Sequence, residues 1–300
     1  MPNSVQQVDR LHAIALLRGW LAGRVEPGAV RWLDHARSLL LDGAPDRVFF
    51  AAYGDVPRHV GDDPLRLGAT ERQEATAARK GWYPNTWTTS EAARAILLLS
   101  YDDSDPDAVS DMAATLLKNA NVGGMAAFMR SLPLLPYPER HHTRAVLATR
   151  SDRRALFEAV ALYNPYPAER FEEGEWNQMV IKALFLGCPL YAISGLDHRL
   201  NHPLSHMAVD FIRSRRADGQ PVNPEALRLI GPHADDRTIG DLERSLDSED
   251  AAWREAAALA LARNGNPRSC AVLERAGDLR RSIEDGRLTW DDFTRRRLVA

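Results

Sequence analysis

The sequence predicts an all-α protein, its helices stacked as antiparallel pairs in a HEAT/ARM-like α-α superhelix. Three observations lead there. Apolar residues recur at helical spacing in one segment after another. Proline, glycine and capping residues punctuate the chain at intervals of about one helix. No run of alternating β-branched residues is long enough to make a strand.

In the N-terminal part, Val5 to Leu21 carries Val8, Leu11, Ala15 and Leu16 at helical spacing. Pro27 suits the first position of a second helix, with Val30, Leu33 and Leu40 inward and Gly43 at its end. Asp46 to Tyr53 reads as a short third helix. Gly54 to Asn85 has few apolar anchors and several glycines and prolines, so it reads as a long excursion with one helical piece at Thr70 to Lys80. Trp82, Tyr83 and Trp87 bring it back to the core.

Thr88 and Glu91 have the spacing of a capping box. The helix they open is nearly all apolar from Ala95 to Leu99, and Arg94 must either snorkel or pair inside. Asp105 and Pro106 start the next helix, with Val109, Met112, Ala113 and Leu116 inward. Asn121 to Gly124 reads as a turn before a short helix ending near Arg130. Leu132 to Pro138 contains three prolines and is no regular helix. Further helices are expected over Glu139 to Thr149, and from a Ser151 cap through Leu162. Asn164-Pro165 stops the second of these, since a residue before proline avoids helical dihedrals.

Tyr163 to Leu190 reads as the stretch that organises the chain. Glu172, Glu173 and Glu175 crowd the positive end of a helix dipole. Gly187 and Pro189 stop the helix. Glu175, Gln178 and Lys182 make one narrow polar stripe. Trp176, Met179, Val180, Ile181, Ala183, Leu184, Phe185 and Leu186 cover the rest, the pattern of an enclosed helix. Asn177 falls inside the apolar arc and needs a partner, because a buried unpaired amide costs about 1–3 kcal/mol. Two partners are open: a backbone group of the Asn164-Pro165-Tyr166-Pro167 loop, or a ligand.

Downstream, Pro203 opens a helix over Leu204 to Arg216, and Asn223-Pro224 a short one to Ile230. Thr238 to Leu246 pairs with Ala251 to Arg263, for which Ser248 is the expected cap. Pro267 and Thr289 start the last helices, with Thr289 and Asp292 as another capping box. Residues 1–300 read as one domain, with HEAT-like pairs clearest at 238–300.

Several function classes have no support. A net charge of −3 gives no pull towards nucleic acid. No apolar run approaches the ~20 residues of a membrane span, and MPNSVQQVDR has no apolar signal core. With two distant cysteines, Cys188 and Cys270, these features suggest a cytoplasmic protein. His198, His202 and His206 are four apart, with Asp210 beyond, but Pro203 breaks the series, so no metal is expected. His141 and His142 read as surface residues. Asp102 to Asp105 read as a solvated loop and N-cap. No GxSxG, P-loop, GxGxxG or CxxC pattern occurs, so no catalytic residue and no cofactor is assigned.

Asn164-Pro165-Tyr166-Pro167, Trp176-Asn177-Gln178-Met179-Val180 and Lys182-Ala183-Leu184-Phe185 together resemble the signature of the EboA domain family. Leu132 to Pro138, Gly195-Leu196-Asp197 and Leu229-Ile230-Gly231-Pro232 are similar to it too. The resemblance implies a helical protein of bacterial secondary-metabolite clusters, engaged in metabolite trafficking. It implies non-catalytic handling of a metabolite or its precursor, as a binding or scaffold protein for pathway enzymes encoded alongside. The alternative is an enzyme of the same pathway, acting on a small molecule in a pocket around the helix at 174–186. Asn164, Tyr166, Trp176, Asn177, Gln178 and Lys182 are the candidate ligand-binding residues, because polar groups beside aromatic ones make a small-molecule site. A well-bonded core has the same composition.

Overall fold

The structure, a computed structural model, describes residues 9–298. Every regular element among them is helical, and the sole β feature there is an isolated bridge between Pro64 and Thr88. The chain forms two compact units, one ending at Glu172 and one beginning at Glu173.

The first unit opens with α1, Arg10–Ala22, capped by the Asp9 carboxylate on the amides of Leu11 and His12. The expected start at Val5 lies outside the described residues. α2 runs Pro27–Leu41 and α3 runs Asp46–Val60. The third helix therefore continues seven residues beyond the expected Tyr53, through Gly54 and Pro57. Proline cannot donate to the carbonyl four residues back, which here is Tyr53. The buried Arg94 replaces that donor, its Nε lying 3.2 Å from the Tyr53 oxygen.

The expected excursion accordingly shrinks. Only 61–68 is irregular before α4, Ala69–Ala78, followed by a single turn at Pro84–Thr86. Its few apolar anchors are enough: Leu65 and Leu67 are buried, and backbone bonds join Leu65 to Trp87 and Thr89 to Asp63. The Trp20 indole of α1 reaches Glu74 of α4 at 3.1 Å, and its ring packs on Trp82.

α5, Thr89–Leu99, is the centre of this unit and packs on α1, α3 and α7. Its capping box forms as expected: Thr88 Oγ1 accepts from Glu91 N, and Glu91 Oε2 accepts from Thr88 N. α6 is Pro106–Asn119, and α7 is Val122–Ser131. The helix thus takes in Gly123 and Gly124, because Asn121 caps it by accepting from Gly124 N. Gly124 suits the close approach there: a Cβ would stand 3.3 Å from the Tyr53 ring and 3.1 Å from Ala120. α8 (His142–Arg150), α9 (Arg154–Ala161) and the short α10 (Tyr166–Arg170) complete the unit. Arg153 takes the N-cap position of α9, and the Ser151 hydroxyl accepts from Arg153 N just outside it.

The second unit begins with α11, Glu173–Phe185, packed on α12, His202–Ala217. α13 (Asp236–Leu246), α14 (Ala251–Ala262), α15 (Pro267–Arg275), α16 (Gly277–Glu284) and α17 (Trp290–Leu298) follow. α14 is the hub and packs on all four of these and on the 3₁₀ turns at Pro224–Leu229 and Gly231–His233. Its small-residue face allows backbone contact. A Cβ on Gly231 would lie 2.5 Å from the Ala260 carbonyl oxygen. Asn264 then closes the turn by donating to the oxygens of Gly231 and Ala234. The N-cap of α14 is Asp250, accepting from Ala252 N, not the expected Ser248, which accepts from Asp250 N.

Candidate functional site

The helix singled out by the sequence is α11. Glu173 and Glu175 lie in its first turn, where the dipole favours them. It ends on Gly187 at φ +67°, with Cys188 N returning to Ala183 O. It is not enclosed all round. Trp176, Asn177, Met179, Val180, Ala183 and Leu184 are buried, but Phe185 is 65% exposed. The helix is one-sided, so the expectation of an all-round apolar environment is corrected.

Asn177 is 3% exposed and bonded to protein. Its partner is neither of the two expected. Asn177 Nδ2 donates to Asn201 Oδ1 at 3.0 Å, and Asn201 Nδ2 donates to Asn177 Oδ1 at 2.9 Å. Two carboxamides are self-complementary in this way, each presenting one donor beside one acceptor. Asn201 also caps α12 by accepting from Leu204 N, and donates to Arg199 O. The Arg199 guanidinium stacks 4.7 Å from the centroid of Trp176, which is fully buried. α11 is thus fastened to the start of α12 by a polar pair and a cation–aromatic contact. Gln178, on the polar stripe, is exposed, and Lys182 is half-buried.

Asn164 and Tyr166 belong to the first unit. Asn164 Nδ2 donates to the carbonyls of Met129 and Ala159, and Oδ1 accepts from Tyr166 N. Ala159 is in the last turn of α9, so this amide satisfies one of the carbonyls a helix end leaves open. Tyr166 is buried, and its hydroxyl donates to Pro138 O. The four groups of Asn164, Tyr166, Asn177 and Asn201 that could orient a ligand each have protein partners.

Three further polar groups are buried, and for Arg94 this is the second of its two expected outcomes, pairing inside. Arg94 lies inside the first unit, donating to Tyr53 O and Ser90 Oγ with its guanidinium 5.3 Å from the Tyr53 ring centroid. His141, expected at the surface, is fully buried: Nε2 bonds Pro136 O, and the ring meets Phe128 edge-on. Burial holds its pKa down to about 4, with Arg144 acting in the same direction. In the second unit, buried Glu225 accepts from Leu190 N and Thr294 Oγ1. Burial pushes its carboxyl above the ordinary value. Next to it, Arg228 makes a two-pronged bond to Asp197, which also pairs with Arg263 at 2.8 Å. Burial raises the Asp197 carboxyl, and the two guanidiniums outweigh it, holding it below its usual range. For Arg94 the signal was a cation in an apolar run; nothing in the sequence marks Glu225 or His141.

Two cavities are described in the first unit. The larger, about 190 Å³, is lined by Leu40, Asp46, Phe49, Tyr101, Asp102 and Asp105 among others. Its carboxylates are engaged: Asp46 by the Tyr101 hydroxyl, Asp102 by Ser104, and Asp105 as the N-cap of α6. The smaller one borders His141. Among the described residues no three His, Cys, Asp or Glu side chains are grouped to hold a metal ion. His198 ends a separate turn at Leu196–His198, while His202 meets the ring of His233 instead. No helix among the described residues is long and apolar enough to cross a membrane.

The model of a family described as metabolite traffic protein EboA matches residues 13–231. Neither the curated proteins nor the solved structures contain a match.

Proposed function

The chain belongs to the EboA family, and from that premise we propose that it handles a secondary metabolite or its precursor without transforming it. It acts as a binding or scaffold protein for the pathway enzymes. The family match carries this reading. It runs across the boundary at Glu172 and Glu173, so both compact units share in the family's common sequence. On that continuity, which spans residues 13–231, we read residues 1–300 as one working domain. The antiparallel-pair reading of a HEAT/ARM-like stack rests on α13 packed on α14 and α15 on α16, an architecture suited to presenting partner proteins with a continuous surface. Cys188 and Cys270, neither of them in a disulfide, fit a reducing compartment such as the cytoplasm.

Of the six expected ligand-binding residues, Gln178 and Lys182 carry the proposal directly. They lie on the face of α11 that reaches solvent. Trp176 and Asn177 hold that face in place through Arg199 and Asn201. Asn164 and Tyr166 do the corresponding work at the end of α9. Lys182→Met tests the reading. It is expected to leave the melting temperature nearly unchanged and to abolish metabolite output in the producing cell. A Lys182→Met protein that is both stable and fully functional removes the ligand role of this stripe.

A further inference from the structure

The side chain of His141 is fully buried beneath Pro136. Its Nε2 lies 3.1 Å from the Pro136 carbonyl oxygen. A carbonyl can only accept, so Nε2 carries the proton and Nδ1 of the neutral ring presents a lone pair. Nδ1 is buried, and no donor of the protein reaches it. A buried acceptor left so is uncommon, because most find a partner in protein or solvent. The ring also borders a cavity of about 10 Å³, lined by the apolar Leu98, Val109, Met112 and Leu135 and by Tyr101, Asp103 and Pro136. That is the space one water-sized group needs. Arg10 borders the same cavity, with its Nη1 2.6 Å from the Asp103 carboxylate.

We propose that this cavity is a binding site for a single hydroxyl group, which donates to Nδ1 of His141. The chemistry selects the class. The occupant must donate, so a carboxylate or a fully ionised phosphate is excluded at this position. A metal ion would find one ring nitrogen and the Asp103 carboxylate, which Arg10 already holds, too few ligands for a coordination shell. A hydroxyl donates its one proton to the lone pair and brings no charge into the cavity. Water and the alcohol end of a small ligand share this chemistry. The inference does not depend on the proposed metabolite handling, since it follows from His141 and its cavity alone.

Long-range proton–nitrogen NMR on the full chain, labelled with ¹⁵N-histidine, tests it at pH 7. The Nε2-protonated tautomer is expected, with the Nδ1 resonance displaced from the unbonded position towards that of a hydrogen-bonded acceptor. Val109→Ile adds a methyl group to the cavity wall and leaves the imidazole in place. It should expel the occupant and return Nδ1 to the unbonded position; Val109→Leu serves if that variant does not fold. Titration with ethanol separates the sources. A saturable further shift assigns the site to a ligand hydroxyl, and a bonded resonance that ignores ethanol assigns it to water. An unbonded Nδ1 in the native protein, an Nδ1-protonated tautomer, or a bonded resonance that survives filling of the cavity would each overturn the proposal.

Discussion

Asn177→Ala removes one side of the carboxamide pair that fastens α11 to α12. Two hydrogen bonds are lost, at 3.0 and 2.9 Å. Each neutral bond contributes about 1 kcal/mol net, so the pair contributes about 2 kcal/mol. A single replacement also strands the opposite carboxamide, which places either loss in the range of about 1–3 kcal/mol. The matching change at position 201 needs care, because Asn201 also caps α12 on Leu204 N. Asn201→Ser keeps a capping oxygen but is too short to span to Asn177. A double-mutant cycle of Asn177→Ala and Asn201→Ser therefore isolates the pair from the cap. The expected coupling energy is about 2 kcal/mol, so the double variant is little worse than the worse single one. Equilibrium urea unfolding followed by tryptophan fluorescence reads it, with Trp176 under Arg199 as a nearby reporter. Losses that simply add, giving a coupling near zero at unchanged m-values, refute the pairing and the packing of α11 on α12 built on it.

Acid should weaken the first unit through His141. Its native pKa of about 4 lies below the ordinary 6.5, so between those values the unfolded chain binds a proton the native state refuses. Stability therefore falls as pH drops from 6.5 towards 4, by about 1.4 kcal/mol per pH unit and about 3 kcal/mol in all. His141→Gln should flatten that limb in urea unfolding measured between pH 5 and 7, and an unchanged slope would show that His141 is not buried neutral. Gly231→Ala forces a methyl group against the Ala260 carbonyl of α14. The expected loss is about 3 kcal/mol, the upper end for overpacking, and a variant with the parent's urea midpoint would contradict the backbone contact.

Local rules account for the parts of the fold that were legible in the sequence. The Thr88–Glu91 box, the Asp105 cap and the Gly187 stop all act within one turn of chain, and each forms where expected, while Pro203 sits in the first turn of a helix that already starts at His202. Where distant residues decide, local reading failed. Pro57 signals a helix end, but Arg94, thirty-seven positions on, supplies the missing donor and the helix continues. Ser248 and Ser151 are good caps in isolation, and competing residues closer to the helix took the position. At the candidate site, the burial of Asn177 was readable from its place in an apolar arc. Its partner was not, because Asn201 lies twenty-four residues away and only the packing of α11 on α12 brings the two together. His141 looked like a surface residue because its neighbours Arg140 and His142 are polar. Its burial comes from Phe128 and the Pro136 turn, which only the fold brings to it.

The central claim is that this EboA-family protein holds a small molecule and returns it unchanged. Native mass spectrometry of the full chain, purified from the cell that encodes it, tests this most directly. The account predicts a protein peak carrying a non-covalent small-molecule mass, lost on denaturation and recovered intact. It predicts that Lys182→Met protein from the same cells lacks that mass. Protein that carries no small molecule while the pathway is running, or that releases one chemically altered, would contradict it.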